Sequence, residues 1–355
     1  MNKLLFTFLS AFTLLACNTT DDDDQIPAEN LYFPPSTGTV WETKTAYELN
    51  WNEDQIQPLL DFLEEKHSKS FIILVDGKIV MENYFGSHTA SSPWYWASAG
   101  KTLTSTAVGI AQQQGLLDID NPVSDYLGAG WTSLTSAQEN QITVKHLLTM
   151  TSGLDDAANG DCTTPQCLEY LAPAGTRWAY DNVYVVLQNV VAAASGQTWE
   201  NYFNANIKNK IGMTGLWTQL DGLSVYYSTT RSMARFGLLA LASGNWNGQQ
   251  VIPQAFFDDA THTSQNINKS YGYLWWINGE QSYHLPQTQA EFLGSLVPSG
   301  PSDMFMALGK NDQKIYVIPS KRMVVVRMGE AADDSNWALS GFDEALWVKI
   351  NAVIN

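Results

Sequence analysis

Near position 100 the chain reads Trp96-Ala97-Ser98-Ala99-Gly100-Lys101. A serine hydroxyl is a poor nucleophile until a base takes its proton. A lysine amine can be that base only after shedding its own proton. Burial lowers a lysine pKa by up to roughly 3–5 units, so a buried Lys101 could serve. Three positions separate Ser98 from Lys101, which puts both on one face of a helix. The residues after Lys101 read as a helix to about Gln114. Ser98 then falls at a helix N-terminus, where free N–H groups and the dipole favour developing negative charge. Ser-x-x-Lys alone is a common pattern, and its plainer reading is a cap followed by an exposed lysine. None of the other thirteen lysines has serine three positions earlier.

Partners for this pair stand at Trp178-Ala179-Tyr180-Asp181-Asn182. Tyr180 can relay protons as phenol or phenolate beside a lysine. Asn182 can donate and accept, orienting both Lys101 and a substrate amide. A helix is predicted to begin near Val183. A second Tyr-x-Asn, Tyr202–Asn204, lies inside a helical run, and Tyr202 reads as packing.

The elements that must position these residues fall into two groups. Phe71–Val75 and Ile79–Phe85 flank Asp76-Gly77, a strong hairpin signal. Met304–Leu308, Lys314–Ile318 and Met323–Met328 read as three further strands, and Trp337 to Val353 as an amphipathic closing helix. Between the two ends, residues 101–115, 143–150, 183–195, 199–210 and 231–243 have helical periodicity. Gly115, Gly196 and Gly244 follow three of them, where helices stop. The pattern predicts an α/β (α+β) fold: one antiparallel sheet built from both chain ends with flanking helices, plus a mostly helical inserted subdomain. The α/β part covers about 41–115 and 270–355, and the helical part about 116–269. A ligand cleft is expected at their junction.

At these positions the chain resembles the serine β-lactamase and penicillin-binding-protein superfamily, in particular class C β-lactamase-like hydrolases and esterases. The resemblance covers roughly residues 65–350. Its carriers are Trp96–Lys101, Val144-Lys145-His146-Leu147-Leu148-Thr149-Met150-Thr151-Ser152-Gly153-Leu154, Tyr180-Asp181-Asn182, Tyr271-Gly272-Tyr273-Leu274-Trp275-Trp276 and the strand ending at Pro319. It implies that Ser98 is acylated, that Lys101 and Tyr180 share acid–base work, and that Asn182 positions substrate. It also implies an oxyanion hole made of the Ser98 N–H and a donor on the strand lining the cleft. The chain departs from the family's third motif, usually Lys-Thr-Gly or His-x-Gly. Counting back from Pro319, the equivalent is Phe305-Met306-Ala307, followed by Leu308-Gly309. Ala307 is small enough for close approach, so the backbone donor is expected there. The partner for a substrate carboxylate is lost, unless Lys310 replaces it. The expected function is therefore hydrolysis of an ester or amide through an acyl-enzyme. A β-lactamase or D-alanyl-D-alanine peptidase, and a non-catalytic envelope ligand-binding protein, are the alternatives.

The first residues point to export. Lys3 precedes an apolar run, Leu4 to Leu15, too short to span a bilayer comfortably. It ends at Leu14-Leu15-Ala16-Cys17, which resembles the lipobox of bacterial lipoproteins. Residues 1–16 are read as a signal peptide and Cys17 as the lipidated residue. Residues 17–40, with Asp21–Asp24, read as an acidic tether ahead of the domain at 41–355. An acidic run after the lipid cysteine also resembles surface-export signals of some Gram-negative lipoproteins. The expected location is the cell envelope, lipid-anchored and facing periplasm or exterior. There Cys162 and Cys167 could close a small disulfide loop or remain thiols.

Net charge is −17, or −18 with 18 basic and 36 acidic side chains once Lys3 is removed. That repels phosphate backbones and argues against nucleic acid as a partner. The expected partner is a small or peptide-like substrate. No metal or organic cofactor is expected: the five histidines are scattered and no His-Glu-x-x-His occurs, and without Gly-x-Ser-x-Gly the α/β-hydrolase nucleophile elbow is absent too. Nothing in the sequence specifies an oligomeric state. His146 and Ser152 read as structural, Trp275 and Trp276 as core or cleft lining, and Arg231 and Arg235 as a solvated or salt-bridged helix face.

Overall fold

The computed structural model describes residues 31–157, 162–334 and 339–355. The elements that frame the site are, in chain order, helix α1 (Ile56–Glu65), strands β1 (Ser68–Val75) and β2 (Lys78–Tyr84), and helices α2 (Lys101–Gln113), α3 (Val144–Leu148), α4 (Tyr184–Ser195) and α5 (Thr230–Leu241). Strands β3 (Trp276–Ile277), β4 (Phe305–Gly309), β5 (Gln313–Ile318) and β6 (Met323–Gly329) follow, then helix α6 (Gly341–Ile354). The strands form one antiparallel sheet in the order β2-β1-β6-β5-β4-β3. Both chain ends contribute, as the sequence predicts. Asp76 and Gly77 make the tight β1–β2 turn, both with positive φ, the backbone a two-residue hairpin requires.

Helices cover both faces of this sheet. Gly237 of α5 lets the helix lie against Ile315 and Val324, and Thr230 of α5 reaches Met328. On the opposite face Tyr316 packs edge-on to Trp347 of α6, and Arg327 lies over Phe342. A sheet buried on both faces does not need polar alternation, so β5 and β6 are buried at every position. Lys314 is buried with them. Its amine sits 2.8 Å from Asp343 and 3.1 Å from Asp312, and Tyr316 donates to Asp343 at 2.7 Å. Buried charges persist only when paired in this way.

Several expectations shift. The closing helix begins at Gly341, not at Trp337. Ser340 caps it by accepting from the Phe342 N–H, and Asp343 accepts the Ser340 N–H in return. Trp337 lies outside the described residues. The predicted helix 199–210 runs as α-helix over Trp199–Phe203 and continues as a wider turn over Asn204–Lys208. Helix α1 carries Pro58 in its first turn, where proline is tolerated. Arg235 is not on a solvated face. It is 5% exposed and donates to the carbonyls of Pro34, Pro35 and Ile211. Arg231, one turn earlier, forms a two-pronged pair with Glu82. Leu31 and Pro34, at the end of the predicted tether, are buried against the body. Cys17 and the predicted signal peptide lie outside the described residues.

Candidate active site

The nucleophile segment starts from a fixed point. Trp96 is fully buried, its indole N–H donating to Ser228 Oγ at 2.7 Å and its backbone N–H to the Tyr226 carbonyl at 2.9 Å. The chain then turns sharply at Ala97, whose φ of 47° lies in the left-handed region that alanine rarely adopts. A single 3-10 turn, Ala97–Gly100, carries Ser98 and leads directly into α2. Helix α2 is buried along Lys101 to Ala111. It packs closely: a Cβ at Gly109 would stand 2.3 Å from the Phe256 ring. Gln188 of α4 donates to Thr104 at 3.3 Å, tying the two helices together.

The predicted pair meets. Lys101 Nζ lies 2.8 Å from Ser98 Oγ and 3.4 Å from Asn182 Oδ1, and Lys101 is 1% exposed. The ammonium position also lies 4.7 Å from the Tyr180 ring centre and 4.5 Å from that of Tyr184. Ser98 and the Trp276 side chain lie close enough to Tyr180 to favour its ionised form. Burial pushes the Tyr180 phenol up to about 12, outweighing those two influences. Tyr180 is therefore a neutral phenol at physiological pH, able to donate. Ser98 remains partly exposed, whereas Lys101 is buried.

The Tyr180–Asn182 turn is positioned by its neighbours. The Ala179 N–H donates to the Met150 carbonyl at 2.9 Å, and Gln289 donates to the Trp178 carbonyl at 3.0 Å. Met150 belongs to the segment after α3, folded back at Gly153, where a Cβ would collide with the Ala172 carbonyl. Behind Tyr180 stands an aromatic wall: Trp276 stacks on it at 5.6 Å and Tyr271 meets it edge-on at 6.1 Å. Trp275 instead packs in the core against Phe236 and Phe305. His146 caps α3 with Thr143, and Tyr202 is buried and bonded to Gln114, so both are structural.

The strand lining the site is β4. Ala307 is 1% exposed and sits opposite Ile315 of β5. A close backbone approach comes two residues later. A Cβ on Gly309 would lie 2.4 Å from the Trp96 carbonyl and 3.1 Å from the Ser98 nitrogen. Sequence reasoning centred on Ala307 and passed over Gly309, although a glycine closing a buried strand is a signal of backbone contact. It also passed over Asp181, the middle residue of the turn. Its carboxylate accepts the Val183 N–H at 2.9 Å. Cys162 and Cys167 form a disulfide. Among the described residues no cluster of His, Cys, Asp and Glu could hold a metal.

Comparison with known proteins places this arrangement. Residues 61–334 match the Beta-lactamase family profile. An uncharacterized protein of Alkalihalophilus pseudofirmus, BpOF4_21049, is 28% identical over 298 residues, covering 73% of this chain and 82% of that one. The putative penicillin-binding protein PbpX of Bacillus subtilis is 30% identical over 178 residues, 45% of this chain and 44% of its own. Among solved structures, a putative 6-aminohexanoate-dimer hydrolase from Bacillus anthracis superposes with a TM-score of 0.69 at 19% identity, covering 92% of this chain and 89% of that one. EstCE1, a hydrolase with promiscuous acyltransferase activity, gives 0.63 at 14% identity over 87% of this chain and 99% of its own. With the Ser98–Lys101 pair in place and the family match running through most of the chain, this protein belongs to the beta-lactamase family of serine hydrolases.

Proposed function

We propose that this protein hydrolyses an ester or amide through an acyl-enzyme on Ser98. One observation carries the reading: the amine of Lys101, a residue 1% exposed, lies 2.8 Å from the hydroxyl of the partly exposed Ser98 and 4.7 Å from the Tyr180 ring centre. Acting as a neutral amine, Lys101 takes the Ser98 proton as Oγ attacks the substrate carbonyl. Tyr180, protonated, passes a proton to the leaving group. In the second half-reaction water takes the place of Ser98, and the same two groups run in reverse. Asn182, with its oxygen turned to Lys101, offers its amide N–H groups to the substrate.

The oxyanion forms beside the Ser98 N–H. The second donor follows from strand register. Asn278 donates to the Met304 carbonyl and Met306 pairs with Trp276, so even-numbered residues of β4 face β3. Extended residues alternate edges. By this alternation the Leu308 N–H faces the side on which β3 has ended, while Ala307 faces β5. We propose Leu308 as the strand donor, with Gly309 permitting the approach to the Ser98 backbone.

Phe305-Met306-Ala307 carries no cationic or imidazole side chain, which favours substrates without a carboxylate over β-lactams and cell-wall peptides. Two structural neighbours bear the names of hydrolases, one putative and one with promiscuous acyltransferase activity, in keeping with this reading. We also propose envelope attachment through Cys17, on the sequence alone. The test is kinetic. Ser98→Ala abolishes p-nitrophenyl ester hydrolysis with circular dichroism unchanged, whereas retained activity places the nucleophile elsewhere. Nitrocefin turnover as fast as ester turnover would reverse the substrate preference.

A further inference from the structure

Resting on the hydrolase reading, we propose that Tyr184 is a positioning residue whose aromatic ring holds the Lys101 amine in place and stabilises the ammonium formed when Ser98 gives up its proton. The Lys101 nitrogen stands over the Tyr184 ring, 4.5 Å from its centre. The face of an aromatic ring is its electron-rich side and attracts a cation. The Tyr180 ring lies 4.7 Å from the same nitrogen, but Tyr180 is the proposed proton donor. Tyr184 directs its hydroxyl elsewhere. It donates to the Ser224 carbonyl at 3.0 Å, on the strand Leu223–Ser228. What Tyr184 offers Lys101 is the face of its ring.

The ring is fixed. Tyr184 is 4% exposed and opens α4. The Val185 N–H donates to the Asn182 carbonyl and the Leu187 N–H to the Val183 carbonyl, both at 3.1 Å, so α4 starts directly from the turn carrying Tyr180 and Asn182. The bond to Ser224 ties that start to a further segment.

A ring face favours the ammonium and does little for the neutral amine. Burial acts the other way and disfavours the ammonium. Tyr184 therefore opposes burial. It leaves Lys101 able to lose its proton before attack and to accept the Ser98 proton during it, the balance a general base requires. Other ionisable groups lie around this amine. The site turn brings Tyr180 and Asp181, whose charge couples to Lys101; Arg177 and Asp156, which act on Asp181, pair with each other at 2.6 Å. The strand Leu223–Ser228 brings Tyr226, bonded to the Thr214 carbonyl, and Tyr227, beside Tyr95. Strand β4 brings none, and α4 only Tyr184 itself. Asp258 and Asp259 belong to the segment that meets α2 at Gly109, about two turns further on, and Lys208 to the one that meets Gln114 beyond its end.

The experiment changes the ring's electrons and keeps its shape. Tyr184→Phe is compared with phenylalanine carrying one, two and five ring fluorines at the same position. Fluorine empties the ring face, while every other group named above stays in place. The Lys101 amine is followed by carbon-13 NMR in protein labelled at the lysine ε-carbon, its signal identified by its loss in Lys101→Ala. The pH profile of kcat/KM for a p-nitrophenyl ester is measured alongside. Tyr184→Phe keeps the ring, and Lys101 titrates close to its wild-type position. With five fluorines the Lys101 titration falls by about one unit, the lesser fluorinations lying between in order. The acid limb moves to lower pH with it, and kcat on the plateau drops several-fold with KM little changed, because the ammonium formed during attack has lost its support. A Lys101 titration that stays put across the folded series overturns the proposal, as does a loss of kcat equal at every pH. If wild type shows no ester turnover, the hydrolase reading fails, and the NMR titration still decides whether the Tyr184 ring acts on Lys101.

Discussion

Ser98 and Lys101 reach the site on one continuous element, the 3-10 turn and helix α2, whereas Tyr180 and Asn182 arrive on a turn held in place by other segments. The first wall is specified locally. Its spacing is helical, and its helix is buried on all sides. The second wall depends on the Met150 carbonyl, the Gln289 side chain and the aromatic stack of Trp276 and Tyr271. A third wall, the end of β4, touches the first by backbone contact at Gly309. The difference teaches where damage should fall. Changes on the first wall remove chemistry, and changes on the other two misplace it.

The largest effect belongs to Lys101→Ala. It removes the proposed base and the amine 2.8 Å from Ser98 Oγ, and kcat for ester hydrolysis falls by about 10³ or more. A loss below tenfold would mean that another group takes the proton. Tyr180→Phe costs about 10²–10⁴ in kcat, the range of a positioned general acid. Because the phenol is pushed up to about 12, wild-type activity shows no falling limb from Tyr180 up to about pH 10. A descending limb near pH 8 that disappears in Tyr180→Phe would show a phenolate working instead. Gly309→Ala is smaller: its methyl meets the Trp96 carbonyl, and displacing the strand donor costs about 10² in kcat with KM little changed. Equal activity would remove β4 from the oxyanion hole.

The smallest effect concerns the strained position before the nucleophile. Ala97→Gly leaves unfolding free energy within about 1 kcal/mol of wild type, because relief of left-handed strain offsets the freer unfolded chain. Ala97→Val, branched at Cβ, costs about 2 kcal/mol by denaturant titration. If both variants were equally stable, the left-handed backbone at Ala97 would not be a feature of the folded protein.

Legibility followed the same division. Ser98, Lys101, Tyr180 and Asn182 were readable because each motif is short and each residue type has a distinct chemistry. The sheet from both chain ends was readable because its strands are near-continuous apolar runs ended by Asp-Gly or Pro-Ser-Lys turns. Gly309 was not, since its role comes from a backbone contact with a segment more than two hundred positions away. Asp181 reads as a polar turn residue; that it accepts the Val183 N–H and lines a small cavity with Leu154, Leu168 and the disulfide comes from packing. Arg235 and Lys314 were misread or unread for one reason. A charge on a helix or strand looks solvated until its buried partners are known, and here those are carbonyls of Pro34 and Pro35 and the carboxylates of Asp312 and Asp343.

The central claim is a covalent intermediate on one named oxygen. Intact-mass measurement after brief exposure to a fluorophosphonate, followed by peptide mapping, tests it most directly. The account predicts a single adduct on the peptide containing Ser98, formed more slowly in Lys101→Ala and absent in Ser98→Ala. An adduct on another residue, or equal labelling of the Ser98→Ala protein, would contradict it.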